Sequence, residues 1–428
     1  MISILSLGCS KNLVDSERLA RRFSDVGLKV RFTDRLEADG SHYVINTCGF
    51  IGDAKEESIE ILLEAIDMRQ KGLIRAVYAM GCLTERYRDE LKEEMPELDG
   101  LYGKFDWSSL VEDIASKRPV TQQWQRELST APHYTYLKIS EGCNRFCAFC
   151  AIPLITGRHH SRPVGEIVEE VKELVAKGVC EFNVIAQDLS SYGRDLPGGN
   201  SRLAELLEAM AGIEGVEMIR LHYAYPSDFP YDILPVIATH KNICKYLDIA
   251  LQHIDDGVLN SMLRHIDAAS PRELLARIRR EVPGIHIRTT MMVGFPGEDD
   301  AAFERLLDFV AEQRFERLGA FAYCEEEGTY AANNLEDTIP QEVKQQRLDS
   351  VMQLQQEIAF DIANAKIGET LRVIIDEFDG KRYIGRTEYD SPEVDCCVFI
   401  DSCQELSVGQ IYDVRITDAE GFDLIGKV

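Results

Sequence analysis

The sequence predicts an α/β chain in three parts: an open parallel sheet, a longer partial parallel barrel and a small barrel of short strands. Three observations predict it. Short apolar runs alternate with helical patterns over residues 1–130, a longer series of the same alternation fills 131–365, and from residue 366 the pattern turns to short strands separated by turn residues. Repeated β-α-β units give parallel strands with helices on the faces, whereas closely spaced short strands give antiparallel barrels. At 428 residues the chain is long enough for two to three domains, each with a core of its own.

In the first part, residues 2–7 read as a buried strand and 14–26 as a helix with Gly27 as its stop. Residues 43–46 form a second strand, 53–71 a helix ended by Gly72, 74–80 a third strand and 85–94 a helix. This is a flavodoxin-like parallel sheet. Cys9, Cys48 and Cys82 each follow one of its strands, and each has a glycine beside it. Ligands of open α/β sheets bind at that rim, and glycine lets backbone approach them closely. One cysteine there would read as an ordinary buried thiol. Three at one rim point to a metal cluster held by three thiolates with one iron open.

Residues 117–133 read as a linker. The second part has strands expected at 134–140, 181–186, 216–221, 246–251, 285–293 and 316–323. Helices separate them at 163–177, 202–211, 270–281 and 299–312, and a long helix over 340–365 closes the unit. This is a partial TIM-type barrel, with its site on the C-terminal rim. Its first strand runs into Cys143, Cys147 and Cys150, spaced C-x3-C-x2-C. Three ligands are one short of a closed zinc site and one short of the usual thiolate set of a four-iron cluster. A tight three-thiolate loop holds three irons of a cubane and leaves the fourth free for a small molecule. Zinc would need a fourth ligand. His159 and His160, the local candidates, lie nine and ten residues past Cys150, outside zinc-finger spacing, and read as loop residues. In the third part, strands are expected at 371–375, 382–387, 397–400 and 412–417, forming a small antiparallel β-barrel.

The 47 basic and 73 acidic residues leave a net charge of −26, which argues against direct nucleic-acid binding and suits a basic protein partner. Residues 366–428 alone carry seven basic and fourteen acidic side chains, although acidity also serves solubility. Twelve cysteines without a secretory leader read as cytosolic thiols, and no apolar run approaches membrane-spanning length. A cytoplasmic protein with no membrane association is expected.

With one dispersed and one clustered cysteine trio and a small β-rich tail, the whole chain resembles the radical S-adenosylmethionine (SAM) methylthiotransferases. The resemblance implies a methylthiotransferase domain over 1–130, a radical SAM core over 131–365 and a TRAM domain over 366–428. It implies two 4Fe-4S clusters, an auxiliary one on Cys9, Cys48 and Cys82 and a SAM-binding one on Cys143, Cys147 and Cys150. It also implies adenine packing by Phe149. Gln187, Asp188, Gln252, Arg264, Gly294 and Gly297 are the further SAM-binding candidates, each with a plainer reading as loop, surface or turn residue. Gln187-Asp188, the string from Leu247 to His253, and Gly385-Arg386-Thr387 through Asp395 resemble the RimO branch. That branch modifies the β-carbon of an aspartate in ribosomal protein S12; the MiaB branch modifies a tRNA adenosine. The implied chemistry needs an electron donor, a reductase or a flavodoxin- or ferredoxin-type protein. It also needs the two cysteine sites to face each other across the substrate. The remaining alternatives are the tRNA reaction and a non-catalytic iron–sulfur sensor or scaffold. Cys324 departs from the family string and reads as a packed thiol, Cys396-Cys397 has no assigned role, and Glu325–Glu327 reads as a solvated acidic run.

Overall fold

Strands apolar on both faces, each followed by a segment that returns the chain, dictate a covered parallel sheet. The computed structural model describes residues 1–122 and 124–428. Its first sheet comprises β1 (Ile2–Ser6), β2 (Val30–Thr33), β3 (His42–Thr47), β4 (Ala76–Gly81) and β5 (Gly100–Leu101). They are all parallel, in the order β2-β1-β3-β4-β5. This is the flavodoxin order, whose switch point lies between β1 and β3. Helices α1 (Ser10–Asp25), α2 (Gly52–Gln70), α3 (Cys82–Arg86), α4 (Arg88–Glu94) and α5 (Trp107–Ala115) complete the unit. Ile4, Phe23 and Val44 pack one core and Leu5, Ile45 and Leu62 the other.

β2, β5 and α5 are additional to the elements expected from sequence, and two of the expected helices differ in their bounds. α1 begins at Ser10, not residue 14, because its first turn, Ser10-Lys11-Asn12, is polar and invisible to apolar periodicity. The helix expected over 85–94 breaks at Tyr87, whose ring lies beside Lys55 and Arg86. Nor is 117–133 a loose linker. Arg126 is buried and donates to Glu17 at 2.6 Å and Glu170 at 2.7 Å, tying the segment to both flanking units. Gln123, within that stretch, lies outside the described residues.

The second sheet is six-stranded, parallel and open. It contains β6 (Tyr134–Lys138), β9 (Glu181–Ile185), β10 (Met218–Ala224), β11 (Ile243–Gln252), β12 (His286–Val293) and β13 (Arg317–Ala322), neighbours in chain order. Between β6 and β9, the two-residue strands β7 (Ser140–Glu141) and β8 (His160–Ser161) pair antiparallel and close the neck of the cysteine loop. His160 therefore belongs to a strand rather than a loop, while His159 is the loop residue expected, buried and bonded to Ser161 Oγ at 3.0 Å. The helices are α6 (Ile152–Thr156), α7 (Val164–Ala176), α8 (Leu203–Ala211), α9 (Ile233–Thr239), α10 (Asp256–Ser261), α11 (Ala269–Glu281), α12 (Asp300–Gln313), α13 (Tyr330–Asn334) and α14 (Gln341–Ala365). Strand alternation splits the sheet's faces. Phe182, Val184, Ile219, Leu221, Leu247 and Ile249 join the main core, while Tyr136, Glu181, Asn183, Arg220, His222, Tyr246 and Asp248 take the opposite, concave face. At the open edge, Val14 and Leu13 of α1 pack on Tyr134 and Tyr136 of β6.

The last unit is a closed barrel of β14 (Thr370–Phe378), β15 (Tyr383–Thr387), β16 (Val398–Asp401), β17 (Ile411–Glu420) and β18 (Asp423–Lys427). It is not wholly antiparallel, because β16 and β18 run parallel. Five strands cannot alternate direction all the way round a closed ring, so one pair must be parallel.

The 388–397 loop of this barrel fills the lower concave face of the parallel sheet. Tyr134 donates to Glu393 at 2.9 Å, Tyr246 to Asp395 at 3.1 Å, and Arg288 and Arg317 pair with Asp395 and Asp390. Glu181, fully buried, binds Arg220 of its own sheet and, at 2.8 Å, Arg386 of the small barrel. Burial alone would raise the Glu181 pKa, but Arg386 and Arg220 outweigh it and hold it at about 2, against an ordinary 4.5. The unfolded chain therefore binds the proton first, so this stability is complete above pH 4.5 and is lost as pH falls from there through about 2. Glu181→Gln should lower unfolding free energy by about 3 kcal/mol at pH 7. Urea melts of both proteins should show that difference shrinking as the pH approaches 2, and a pH-independent difference would contradict it.

Candidate active site at the domain seam

The three early cysteines are gathered because their strands are adjacent at the switch point. Cys9 follows β1 and caps the N-terminus of α1, Cys48 follows β3, and Cys82 follows β4. Glycine is required at two of these turns. Gly8 has φ +83, and a Cβ there would stand 2.7 Å from Cys48 Sγ; a Cβ on Gly49 would stand 2.9 Å from the Cys82 backbone. Cys82 Sγ donates to Asn12 Oδ1 at 3.3 Å and lies 3.8 Å from Lys104 Nζ. Cys48 and Cys82 are buried, and Cys9 is the exposed member.

The second trio is held by backbone bonds across the barrel rim. Cys143 N donates to Gly157 O at 3.2 Å, Ala148 N to Met262 O at 2.9 Å, and Ala331 N to Ala148 O at 2.8 Å. Arg264, expected as a surface residue in its plainer reading, is buried. It donates to Cys147 Sγ at 3.4 Å and stacks over Tyr225 at 4.0 Å, while the Tyr225 hydroxyl lies 3.5 Å from the same sulfur. Arg145 spans Asp188 (2.7 Å) and Asp228 (2.8 Å).

Burial raises the Cys48 thiol pKa and pushes Cys82 up to about 11, and Cys143 and Cys150 up to about 12. Cys9 moves the other way. Desolvation opposes its thiolate, but Lys11, the Asn12 N–H, Lys104 and the Lys11 N–H outweigh it. Loading metal on the raised thiols must therefore release protons. Among the described residues no three His, Cys, Asp or Glu side chains, the two cysteine trios included, close around a single ion.

The two trios share one seam. Cys82 packs directly on Ala151 and Ile155, immediately past Cys150. Beneath it runs a buried chain of charge. Lys104 donates to Asp15 at 2.8 Å, Lys138 pairs with Asp15 and, at 2.6 Å, with Glu141, and Glu141 accepts from Gln187. At the outer edge Glu326 is buried, not solvated, and binds Lys55 and Arg86, each at 2.9 Å. The acidic run hid this because its partners lie on α2 and α3, far away in sequence. Cys324 is exposed, not packed, 3.8 Å from where a Cβ on Gly52 would stand.

The residues fit the implied groups. Besides the two thiol trios, the barrel mouth holds buried polar atoms without partners: Gln187 Oε1, Asp188 Oδ1, Gln252 Oε1 and Arg264 Nε. Gln252 is further held at φ +72, a strained setting typical of ligand sites. Phe149 stands edge-on to Phe295 with ring centroids 6.2 Å apart. Gly294 is accounted for by packing, since a Cβ there would meet Lys344 Cγ of α14 at 2.4 Å, and Gly297, φ +93, faces open space.

The first 103 residues match Uncharacterized protein family UPF0004, residues 137–310 the Radical SAM superfamily, and residues 367–428 the TRAM domain. The chain is 54% identical to ribosomal protein uS12 methylthiotransferase RimO of Phocaeicola vulgatus, over 100% of this chain and 99% of that protein. Identity is 53% to the Parabacteroides distasonis protein of the same name, over 100% and 98%, and 45% to that of Flavobacterium johnsoniae, over 100% and 97%. The chain belongs to the RimO family. Solved structures share the fold at low identity. One is the radical S-adenosylmethionine methyltransferase TsrM from Kitasatospora setae, with TM-score 0.56, 13% identity and coverage of 75% of this chain and 74% of that one. Another is the cobalamin-dependent S-adenosylmethionine radical enzyme OxsB, with TM-score 0.53, 11% identity and coverage of 82% and 56%.

In a RimO-family chain built this way, the seam depends on Glu326. Glu326→Ala should leave Arg86 buried and uncompensated, costing about 3 kcal/mol of seam stability. Hydrogen exchange should accelerate selectively over residues 49–55 and 324–330, and an unchanged exchange pattern there would contradict it.

Proposed function

We propose that this chain adds a methylthio group to the β-carbon of an aspartate of ribosomal protein uS12. The observation that carries the reading is the single seam on which two three-cysteine sets meet, in a chain more than half identical to uS12 methylthiotransferases over its full length. When bound, two 4Fe-4S clusters and SAM supply the one-electron chemistry, the sulfur and the methyl group that no side chain can provide.

The protein's own part is binding and orientation. Cys143, Cys147 and Cys150 would hold the SAM-binding cluster, and Cys9, Cys48 and Cys82 the auxiliary one. Arg264 and Tyr225 keep a cation and a hydroxyl against Cys147, placing donors beside an electron-rich sulfur. Gln187, Asp188, Gln252 and Arg264 offer SAM their unpartnered polar atoms, and Phe149 offers an aromatic edge; Gly294 and Gly297 add no such support. The domain division at about residues 130 and 365 assigns each cysteine set to its own unit. The electron donor is a reductase or a flavodoxin- or ferredoxin-type protein. A ribosomal substrate places the reaction in the cytoplasm, and among the described residues no helix is long and apolar enough to cross a membrane.

The test is direct. Anaerobic protein, SAM and reductant are incubated with purified uS12 or with tRNA, and each is weighed by mass spectrometry. uS12 should gain one methylthio group; a gain confined to tRNA would overturn the reading. Iron analysis tests the ligands separately. About eight irons per chain are expected, falling to about four in Cys82→Ala and in Cys147→Ala, and a full complement in either variant would remove that cysteine from the ligand set.

A further inference from the structure

Lys11 stands two residues past Cys9, in the first turn of α1. Its ammonium crosses the seam and lies 3.4 Å from the centroid of the Tyr223 ring, at the C-terminal end of β10. Tyr223 is held there at φ +66 and is 37% exposed. A bulky residue in the left-handed region is a true outlier, of the kind that clusters at ligand sites.

What sets Lys11 apart is what it lacks. The chain carries 73 acidic residues against 47 basic ones, and the neighbouring buried lysines, Lys104 and Lys138, both bind Asp15. Among the described residues Lys11 has neither a hydrogen bond nor an ion pair; its contact is the aromatic face. A ring occupies one side of an ammonium and leaves N–H donors pointing elsewhere. The nearby barrel carboxylate, Asp248, is turned to the Tyr223 N–H at 3.3 Å and to His222 Nδ1 at 4.0 Å. A half-buried cation thus lies between the auxiliary cysteines and the barrel rim with no carboxylate in ion-pair or hydrogen-bonding contact, its charge reaching Cys9 and Asp248 only through space.

The substrate supplies an anion of the right kind. The carbon that gains sulfur must enter the gap between the two cysteine sets, and in an aspartyl side chain that carbon is one bond from the carboxylate. A carboxylate leaving water for such a gap needs a cation there. We infer that Lys11, steadied by Tyr223, holds the carboxylate of the substrate aspartate and so selects aspartate at the reacting position. This rests on the function proposed above.

The test compares binding of full-length uS12 with binding of uS12 whose modified aspartate is replaced by asparagine, without reductant, to the cluster-loaded wild type, Lys11→Met and Lys11→Arg. Methionine keeps the stem over Tyr223 and removes the charge. The wild type should prefer aspartate, and the ratio of affinities should fall by about tenfold to a hundredfold in Lys11→Met and be retained in Lys11→Arg. Iron and sulfide content, measured on the same samples, should match the wild type. An unchanged ratio in Lys11→Met overturns the assignment. So does loss of iron in both variants, which would place Lys11 in service of the auxiliary site. Wild-type protein that binds neither form of uS12 would instead sink the underlying function.

Discussion

Asp15 is the carboxylate to which both halves of the site are tied. It is fully buried, and burial alone would raise its pKa, but Lys104, Lys138 and Arg18 hold it at about 2. Lys104 comes from the loop after β5 and stands beside Cys82; Lys138 ends β6, just before the cysteine loop. One anion thus fixes the rim of the first sheet against the first strand of the second. With Glu141 the group carries two carboxylates and two ammoniums, so these four side chains are neutral together and can be buried. Removing a single member would strand its partners in a low-dielectric space.

The small barrel contributes differently from what its charge alone suggests. Its acidity reads from sequence as a surface for a basic partner. Several of its acidic side chains are instead engaged inside the molecule: Asp376 with His133 and Arg386, Asp390 with Arg317, Glu393 with Tyr134, and Asp395 with Arg288 and Tyr246. The loop that carries most of them fills the lower concave face of the open sheet. A six-stranded arc leaves that face polar and unfilled by strands of its own, and this loop supplies the missing contacts.

Much of the fold is legible in the sequence because it arises from short-range pattern. The six long parallel strands and the closing helix emerge from apolar periodicity within a few residues of their ends. Periodicity misses β2, β5, β18 and the β7–β8 pair, the helices α5, α9 and α10, the five-residue helices, and the first turn of α1, most of them short. The cysteine trios are legible for a related reason. C-x3-C-x2-C is a local chelate loop, and the dispersed set is found by asking which residue lies just past each strand of a parallel sheet. The burial of Arg264 and Glu326 and the exposure of Cys324 escape such a reading because burial is not a local property. Nothing around Glu325–Glu327 in sequence announces that Lys55 and Arg86 will close over its middle member.

The sequence by itself determined where the two thiol sets fall, one within a single loop and the other just past three strands of one sheet, and the family resemblance tied them to their chemistry. Only the tertiary structure decided how those sets are held and which side chains between them remain free. Arg86 and Glu326 are 240 residues apart, and whether an ammonium such as Lys11 meets a carboxylate or an aromatic ring depends on how two separately folded surfaces come to rest. The Cys143, Cys147 and Cys150 set is placed by a handful of bonds within reach of one another along the chain, and the dispersed set by neighbouring strands; charge pairing across a seam is settled by the packing of every element on either side of it.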